Sequence, residues 1–360
     1  MSAESKSATP ILQLVGVCKT FNDLTAVDNI DLDIIEGEFF TVVGPSGSGK
    51  TTLLRMLAGM EAPTTGNITL RGERINDMPA NKRPTCLVFQ SLALFPHMTV
   101  GENIEFPLKM RGVNSKVRKA RALELMRVVR LPENYYGKNV MKCSGGERQR
   151  VAISRALAYD PDVLFFDEPL SAIDYKLKKV LEKELKDLHK ETGKTFIYIT
   201  HSLEEAMVMS DRIGVMRAGR LVQVGTPEEI YRKPVDRFVS EFVGEVNVIA
   251  VARDQSAWKG IDFPGRFNVA PTDATAGADS VFIVIRPEFM HIVGEGEVAD
   301  NTLQGVIYNE YSLGSRMQYQ VRVDGKVMLV ELSRAKALPD AIGRTVTLGW
   351  DPQDAISVVS

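Results

Sequence analysis

The first two-thirds of the chain alternate short apolar stretches with longer segments of helical periodicity. The stretches that predict strands are Ile11–Cys18, Ala26–Ile34, Phe39–Val43, Asn67–Leu70, Thr85–Phe89, Val163–Phe166 and Thr195–Ile199. Helical patterns cover Thr52–Ala58, much of Ser91–Lys142, a segment from Gly145 to Leu157, Tyr175–Thr192 and a helix that Ser202 caps. This order predicts an α/β domain whose buried parallel strands end at a common edge.

The pattern changes near Gly244, after which only strand signals remain. Asp324-Gly325 predicts a two-residue hairpin, and Ser280–Arg286 and Thr345–Trp350 predict further strands. Short strands over about 115 residues favour a small β-barrel. We therefore predict a loose tail at 1–10, an α/β domain at 11–243 with a helical subdomain at 91–160, and a β-barrel domain at 244–360.

Composition excludes several classes of protein. The chain has 360 residues, a formal net charge of −2 and a pI near 6.2, so it lacks the basic footprint of a nucleic-acid-binding protein. Cys18, Cys86 and Cys143 lack metal-ligand spacing and are expected to be reduced thiols. The first ten residues show no signal peptide, and the chain has no apolar run of about 18 residues. Contact with a membrane is therefore expected only through a partner.

One glycine-rich stretch follows an apolar strand and opens a helix, which is the arrangement of a phosphate-binding loop. It consists of Gly44, Pro45, Ser46, Gly47, Ser48, Gly49, Lys50 and Thr51, with Thr52 next in the helix. Backbone N–H groups and the helix N-terminus would hold the phosphates of ATP. Lys50 would reach the β- and γ-phosphates, and the Thr51 hydroxyl would ligate Mg²⁺.

Two further stretches complete a candidate site. Asp167 and Glu168 end an apolar strand, where Asp167 would hold Mg²⁺ indirectly and Glu168 would polarise the attacking water. Without a phosphate loop, such a pair would be an ordinary turn or helix cap. Ser144, Gly145 and Gly146 begin another helix, and this N-terminus could bind an anion as well as form a capping box with Glu147.

Together these motifs resemble the ATP-binding subunits of ABC transporters over nearly the whole chain. The segment Asp167-Glu168-Pro169-Leu170-Ser171-Ala172-Ile173-Asp174 adds to the likeness. The resemblance implies that two such domains close head to tail around two ATP molecules, each site completed by the other's signature segment at Ser144. It also implies that Gln90 contacts Mg²⁺ and the water, and that His201 contacts the γ-phosphate. By the same resemblance Asp174 couples the two sites and Phe21 stacks on adenine.

Two positions depart from the family pattern, because Cys143 replaces the usual Leu and Glu147 the usual Gln. Without the roles that the resemblance implies, His201 would be interpreted as an ordinary polar residue that follows a strand, and Phe21 as an ordinary aromatic residue of the core.

The C-terminal part resembles the regulatory OB-like barrels of importer ATPases of the sugar, polyamine and iron subfamily, and includes the motif Ile285-Arg286-Pro287-Glu288. The closest likeness is to spermidine/putrescine importers, with iron(III), sugar or phosphonate as alternative cargo. The implied partners are two transmembrane permease subunits, a solute-binding protein and a second ATPase subunit, expected to be an identical copy. The implied location is the cytoplasmic face of the inner membrane.

Two other classes share part of this pattern. A soluble ABC ATPase acting on ribosomes or DNA would normally have a second cassette, a helical arm or a basic stripe. A non-hydrolytic regulator would be expected to lack Glu168 or His201. We also expect the apolar residues Leu92, Leu94, Phe95 and Met98 to form a groove for a permease helix; alternatively, they cover the subdomain's own core.

Overall fold

The computed structural model describes residues 10–171, 173–255, 257–272, 275–294 and 296–359. Residues 1–9 of the predicted tail lie outside these ranges, as does Ala172 of the motif after Glu168, whereas Pro10 begins the first strand. The chain divides into two compact units between Pro227 and Glu228. No helix in the ranges given above is both long enough and apolar enough to cross a membrane.

The described residues of the first unit form two sheets and six α-helices. Its strands are β1 (Pro10–Phe21), β2 (Leu24–Ile35), β3 (Phe39–Val43), β4 (Thr65–Leu70), β5 (Glu73–Arg74), β6 (Thr85–Val88), β7 (Val163–Asp167), β8 (Thr195–Ile199), β9 (Arg212–Arg217) and β10 (Arg220–Gly225). Its helices are α1 (Lys50–Leu57), α2 (Val100–Met110), α3 (Ser115–Val128), α4 (Gly145–Ala158), α5 (Tyr175–Thr192) and α6 (Leu203–Met209).

A six-stranded sheet in the order β10-β9-β3-β8-β7-β6 forms the centre of this unit, and its strands are parallel except β10. Both faces of the sheet are buried, since Phe165 packs into the core that contains α1 while the next residue, Phe166, packs into the core of the helical subdomain. This explains why these strands are continuously apolar. An antiparallel sheet of order β2-β1-β4-β5 accompanies it.

Helix α5 begins and ends where its sequence predicts. Asp174 caps its first turn, and Gly193 follows its last residue with φ of 60°, a conformation that favours glycine. Leu181, Leu185 and Leu188 are buried, whereas Val180 is 50% exposed. These three leucines form the apolar part of the buried face of α5.

The second unit is a β-barrel-type domain of two five-stranded antiparallel sheets around one core, which confirms the predicted C-terminal fold. Its helices are α7 (Pro227–Arg232) and α8 (Arg237–Phe242). Its strands are β11 (Asn247–Asp254), β12 (Ala257–Gly260), β13 (Arg266–Phe267), β14 (Ser280–Ile285), β15 (His291–Ile292), β16 (Asn301–Ser312), β17 (Arg316–Val323), β18 (Lys326–Ser333), β19 (Thr345–Trp350) and β20 (Ala355–Val358).

The division between the units precedes the boundary predicted at 244, because α7 and α8 pack with the β-rich unit. The buried guanidinium of Arg286 donates to the carbonyl oxygens of Tyr231 in α7 and Ser240 in α8, both at 3.2 Å. The Arg286 guanidinium also lies 4.3 Å from the centre of the Tyr231 ring, and the Tyr231 hydroxyl donates to the Glu288 carboxylate. The Arg-Pro-Glu motif therefore fastens these two helices to the C-terminal unit.

Candidate active site

The phosphate loop joins the fully buried strand β3 to α1, and two of its glycines are required by close packing. A Cβ atom at Gly44 would lie 2.2 Å from the Met216 carbonyl oxygen, and one at Gly49 would lie 2.2 Å from the Ala26 carbonyl oxygen. Gly49 also has φ of 103° immediately before α1 begins at Lys50. These contacts fix the backbone so that the N–H groups of the first turn face the loop.

Lys50 is a buried cation held by the loop itself. Its Nζ donates to the carbonyl oxygens of Gly44 and Pro45 at 2.8 and 2.9 Å. Burial lowers the pKa of the ammonium, and the carboxylates of Glu168 and Asp167 oppose that shift. A cation that exchanges two carbonyl oxygens for phosphate oxygens gains a charge-assisted pair in a desolvated position.

A cleft of about 440 Å³ opens beside the loop. Its walls are Leu24, Thr25, Ala26, Gly47, Ser48, Gly49, Lys50, Thr51, Thr52, Ala218 and Gly219. The tip of the β9–β10 hairpin lies against the loop, because the Gly219 N–H donates to the Ser48 carbonyl oxygen at 3.0 Å. The hairpin tip thus supports the loop from outside.

Glu168 follows β7 and lies beside His201. The Glu168 Oε2 is 3.2 Å from the His201 Nδ1, and the Glu168 N–H donates to the Ile199 carbonyl oxygen at 3.0 Å. The parallel pairing of β7 with β8 brings these two strand ends together. Glu168 has φ of 46°, a strained conformation for a residue before proline, and such strain is concentrated at functional sites.

Asp167 is the last residue of β7 and is half-buried. Burial raises the pKa of its carboxyl, and the adjacent Glu168 raises it further, while Arg55 and Lys50 act in the opposite direction. An additional cation at this position would therefore favour the charged carboxylate.

Gln90 follows β6 and is connected to Glu168 through one side chain. Its Nε2 donates to the Ser171 Oγ at 2.9 Å, and that hydroxyl donates to the Glu168 carbonyl oxygen at 3.0 Å. Ser171 therefore connects Gln90 to the backbone of Glu168. The sequence contains Ser171 in a family motif, but nothing in the spacing indicates this contact.

Ser144 caps α4 as predicted. Its Oγ accepts from the Glu147 N–H at 3.3 Å, and the Glu147 carboxylate accepts from the Ser144 N–H at 2.8 Å. The Ser144 N–H lowers the pKa of Glu147, and Lys138, whose Nζ is 3.4 Å away, lowers it further. The unusual carboxylate of Glu147 is thus held by its own helix and partly neutralised.

The neighbours of Ser144 differ in their surroundings. Cys143 is buried in the core of the helical subdomain, where it occupies the place of an apolar side chain. A Cβ at Gly146 would lie 3.3 Å from a methyl carbon of Leu177, whereas a Cβ at Gly145 would meet no atom of this chain within 4 Å. Packing within the subunit therefore leaves the position beside Gly145 open.

The remaining predicted site residues are exposed. Phe21 is the last residue of β1 rather than part of the following turn, and its ring lies 4.7 Å from the Lys19 Nζ. It is 41% exposed and is not among the residues that line the cleft, although Leu24, with which it pairs, is. Asp174 accepts from the Leu177 N–H at 3.1 Å as the cap of α5.

Arg155 joins α4 to the segment after Gln90, a contact that the sequence does not indicate. Its guanidinium donates to the carbonyl oxygens of Leu92 and Ala93 at 2.8 and 2.7 Å. Both of these residues have positive φ, at 61° and 46°. Arg155 therefore holds a strained turn in place from the helix that begins at Ser144.

Comparison with known proteins agrees with this geometry. Residues 27–171 match the family model described as ABC transporter, and residues 283–358 match the TOBE domain. The ATP-binding cassette MJ0796, solved as a dimer bound to ADP and Pi, is 33% identical with a TM-score of 0.54 and covers 60% of this chain and 98% of its own.

Two relatives match over almost their full length. The spermidine/putrescine import ATP-binding protein PotA of Thermotoga maritima is 40% identical over 96% of this chain and 97% of its own. The protein of the same name from Roseobacter denitrificans is 43% identical over 96% of this chain and 94% of its own. With both units matched and the phosphate loop, Glu168 and the Ser144 helix in place, this chain belongs to the ABC transporter family of ATPases.

Proposed function

We propose that this chain is the ATPase subunit of an importer of spermidine and putrescine, acting at the cytoplasmic face of the inner membrane. The observation that supports this cargo is the full-length similarity to relatives named for spermidine/putrescine import. The similarity extends through the C-terminal unit as well as the ATPase unit. The proposed partners are two transmembrane permease subunits, a solute-binding protein and a second copy of this chain.

The chemical step that we propose uses the loop, Glu168 and His201. Lys50 and the N–H groups of the first turn of α1 hold the β- and γ-phosphates of ATP. Glu168 accepts a proton from the attacking water. His201 lies within hydrogen-bond reach of Glu168 and is placed to contact the γ-phosphate.

Mg²⁺ fits the donors that this site offers. The Thr51 hydroxyl, the Gln90 amide and the Asp167 carboxylate are all oxygen ligands, which hard cations prefer. Burial raises the pKa of Asp167, so a divalent cation would stabilise its charged form. Bound there, the ion would neutralise charge on the phosphates.

We further propose that each site is completed by the other subunit. The position beside Gly145 is open within the chain, while the helix N-terminus behind it favours an anion. A γ-phosphate bound to the partner's loop suits this position. The structure of MJ0796 with ADP and Pi is likewise described as dimeric. In this proposal Phe21 stacks on adenine, and Asp174 couples the two sites.

A groove of about 540 Å³ lies on the helical subdomain and offers a docking place for the permease. Phe95 and Phe106 form its aromatic wall with their rings 4.4 Å apart, and Met110 on its border is 63% exposed. The predicted set of apolar residues is divided, because Leu92 and Leu94 pack against the subdomain's own core. Phe95 is therefore the member of that set that faces the groove.

Arg155 gives this groove a connection to the nucleotide site. It lines the groove, lies 5.6 Å from the Phe95 ring and holds the two carbonyl groups after Ser91. The same turn begins at Gln90. A movement of Gln90 on nucleotide binding would thus reach both the groove and α4 through one half-buried guanidinium.

A charged side chain in the groove is predicted to prevent docking of the permease while nucleotide binding is retained. Phe95→Glu or Met110→Glu would place a carboxylate where an apolar permease segment is proposed to bind, so copurification with the permease and uptake should be lost. ATP binding by the isolated subunit should be unchanged. Val208→Glu, at an exposed apolar position on α6, serves as the matched control. A Phe95→Glu subunit that still assembled and supported uptake would remove the groove from the mechanism.

The cargo is tested by uptake in cells that lack this subunit. Restoring the chain should restore uptake of labelled spermidine and putrescine and leave uptake of iron(III), a sugar or a phosphonate unchanged. A Glu168→Gln chain should restore none of them. Restored uptake of one of the other solutes instead would refute polyamine import while preserving the ATPase assignment.

A further inference from the structure

Residues 109–120 join the end of α2 to the start of α3 and form a surface that we call the basic tip. It contains five lysines and arginines and no aspartate or glutamate, in a chain whose net charge is −2. Its cationic residues are Lys109, Arg111, Lys116, Arg118 and Lys119. This local charge is therefore opposite in sign to that of the chain as a whole.

Only some of these cationic side chains interact with other groups of the subunit. Arg118 is paired with Glu105 at 3.1 Å, and the Arg111 guanidinium lies 3.8 Å from the Tyr159 ring. Lys119 lies 5.1 Å from the Tyr136 ring. In the part of the chain that the structure describes, no ion pair forms at Lys109, Lys116 or Lys119. These three ammonium groups remain exposed to solvent.

Two apolar side chains stand among these cations. Met110 is 63% exposed and Val117 is 58% exposed, so both can contact a partner that accepts apolar groups as well as charge. Exposed apolar residues surrounded by lysines are typical of protein surfaces that rest on an anionic bilayer, where the ammonium groups meet lipid phosphates and the apolar groups enter the boundary below them. A nucleic-acid backbone would use the charge but not the apolar groups.

We propose that the basic tip binds the anionic phospholipid headgroups of the cytoplasmic leaflet directly. This rests on the proposed function, because Met110 and Arg111 also border the groove proposed for the permease. A permease segment bound in that groove would lie beside the tip, because the two surfaces share these residues. The lipid contact would add to the permease contact and orient the helical subdomain, so the chain would meet the membrane directly as well as through the partner that its sequence leads us to expect.

The test is cosedimentation of the full chain with vesicles that contain no permease. Binding is expected to vesicles rich in phosphatidylglycerol but not to phosphatidylcholine alone, and it should weaken as salt shortens the screening length. Neutralising three lysines in Lys109→Gln/Lys116→Gln/Lys119→Gln should weaken binding by about 10²-fold, since each lysine near such a surface contributes about a factor of five. Val117→Ser should cause a smaller loss.

The matched control is Lys176→Gln/Lys183→Gln/Lys190→Gln, which removes the same charge from exposed positions on α5. It should bind anionic vesicles like the unmodified chain. Absence of vesicle binding, or equal loss in the two triple variants, would overturn the proposal. Equally tight, lysine-dependent binding to a DNA duplex of similar charge would also overturn it. Because the vesicles lack permease and cargo, either result is independent of whether the chain imports polyamines.

Discussion

Replacing Glu168 by glutamine is expected to lower ATP turnover by about 10²- to 10⁴-fold, the usual contribution of a general base. The amide keeps the size of the side chain but cannot accept the proton of the attacking water. ATP binding should persist because Lys50 and the loop N–H groups are unchanged. Phosphate release by the assembled transporter measures turnover, and equilibrium binding of labelled ATP measures affinity.

Glu204→Gln is the matched control for this variant. Glu204 lies near the same strand end, three residues after His201, and its exposed carboxylate pairs with Lys179 at 2.8 Å. The same chemical change there should leave turnover close to normal. Near-normal hydrolysis by Glu168→Gln would show that another group activates the water.

Replacing Lys50 by alanine is expected to lower kcat/KM for ATP by about 10²-fold or more, the scale of losing one preorganised charge-assisted donor. The buried ammonium lies among loop carbonyl groups, and among the described residues no other lysine or arginine lines the cleft. Steady-state kinetics and nucleotide titration measure the loss.

The far-ultraviolet spectrum and the cooperativity of unfolding serve as the control, because the hydrogen bonds that the Lys50 side chain makes among the described residues all go to the loop. A folded Lys50→Ala subunit with unchanged kcat/KM would place the nucleotide elsewhere.

Local patterns made much of the fold predictable. Ser144 and Glu147 form the expected capping box because both halves lie within one turn. The loop glycines and the apolar strand before them define the phosphate site for the same reason, since a strand, a tight turn and a helix start are contiguous. Asp324-Gly325 likewise forms its hairpin, with positive φ at both residues.

Contacts between distant segments were not predictable in this way. The contact from Gln90 to Ser171 spans 81 residues, and the contacts from Arg155 span more than 60. They depend on how α4 and β7 pack in the folded unit, and the local periodicity of the sequence does not indicate that packing. Leu94 and Phe95 illustrate why such contacts could not be predicted. Leu94 packs against the core of the helical subdomain, whereas its neighbour Phe95 lines the groove, and both follow a turn with positive φ.

The position of Gly145 allows a signature variant that spares the subunit's own fold. Its Cβ would meet nothing in the chain, and an acidic residue in the first turn of α4 favours that helix. If the site is shared as proposed, Gly145→Asp should nevertheless block hydrolysis by repelling the γ-phosphate bound to the partner's loop. Lys50→Ala should block it at the loop instead, so the two variants would damage different halves of the proposed shared site.

The most direct test mixes these two inactive subunits and measures phosphate released in a single turnover. Differently tagged copies would show that mixed dimers form within the assembled transporter. If each site combines one subunit's loop with the other's signature helix, a mixed dimer contains one intact site and one doubly damaged site. We therefore predict that the mixture regains hydrolysis that neither variant shows alone. Mixed dimers that release no phosphate would contradict a site shared between two copies of this chain.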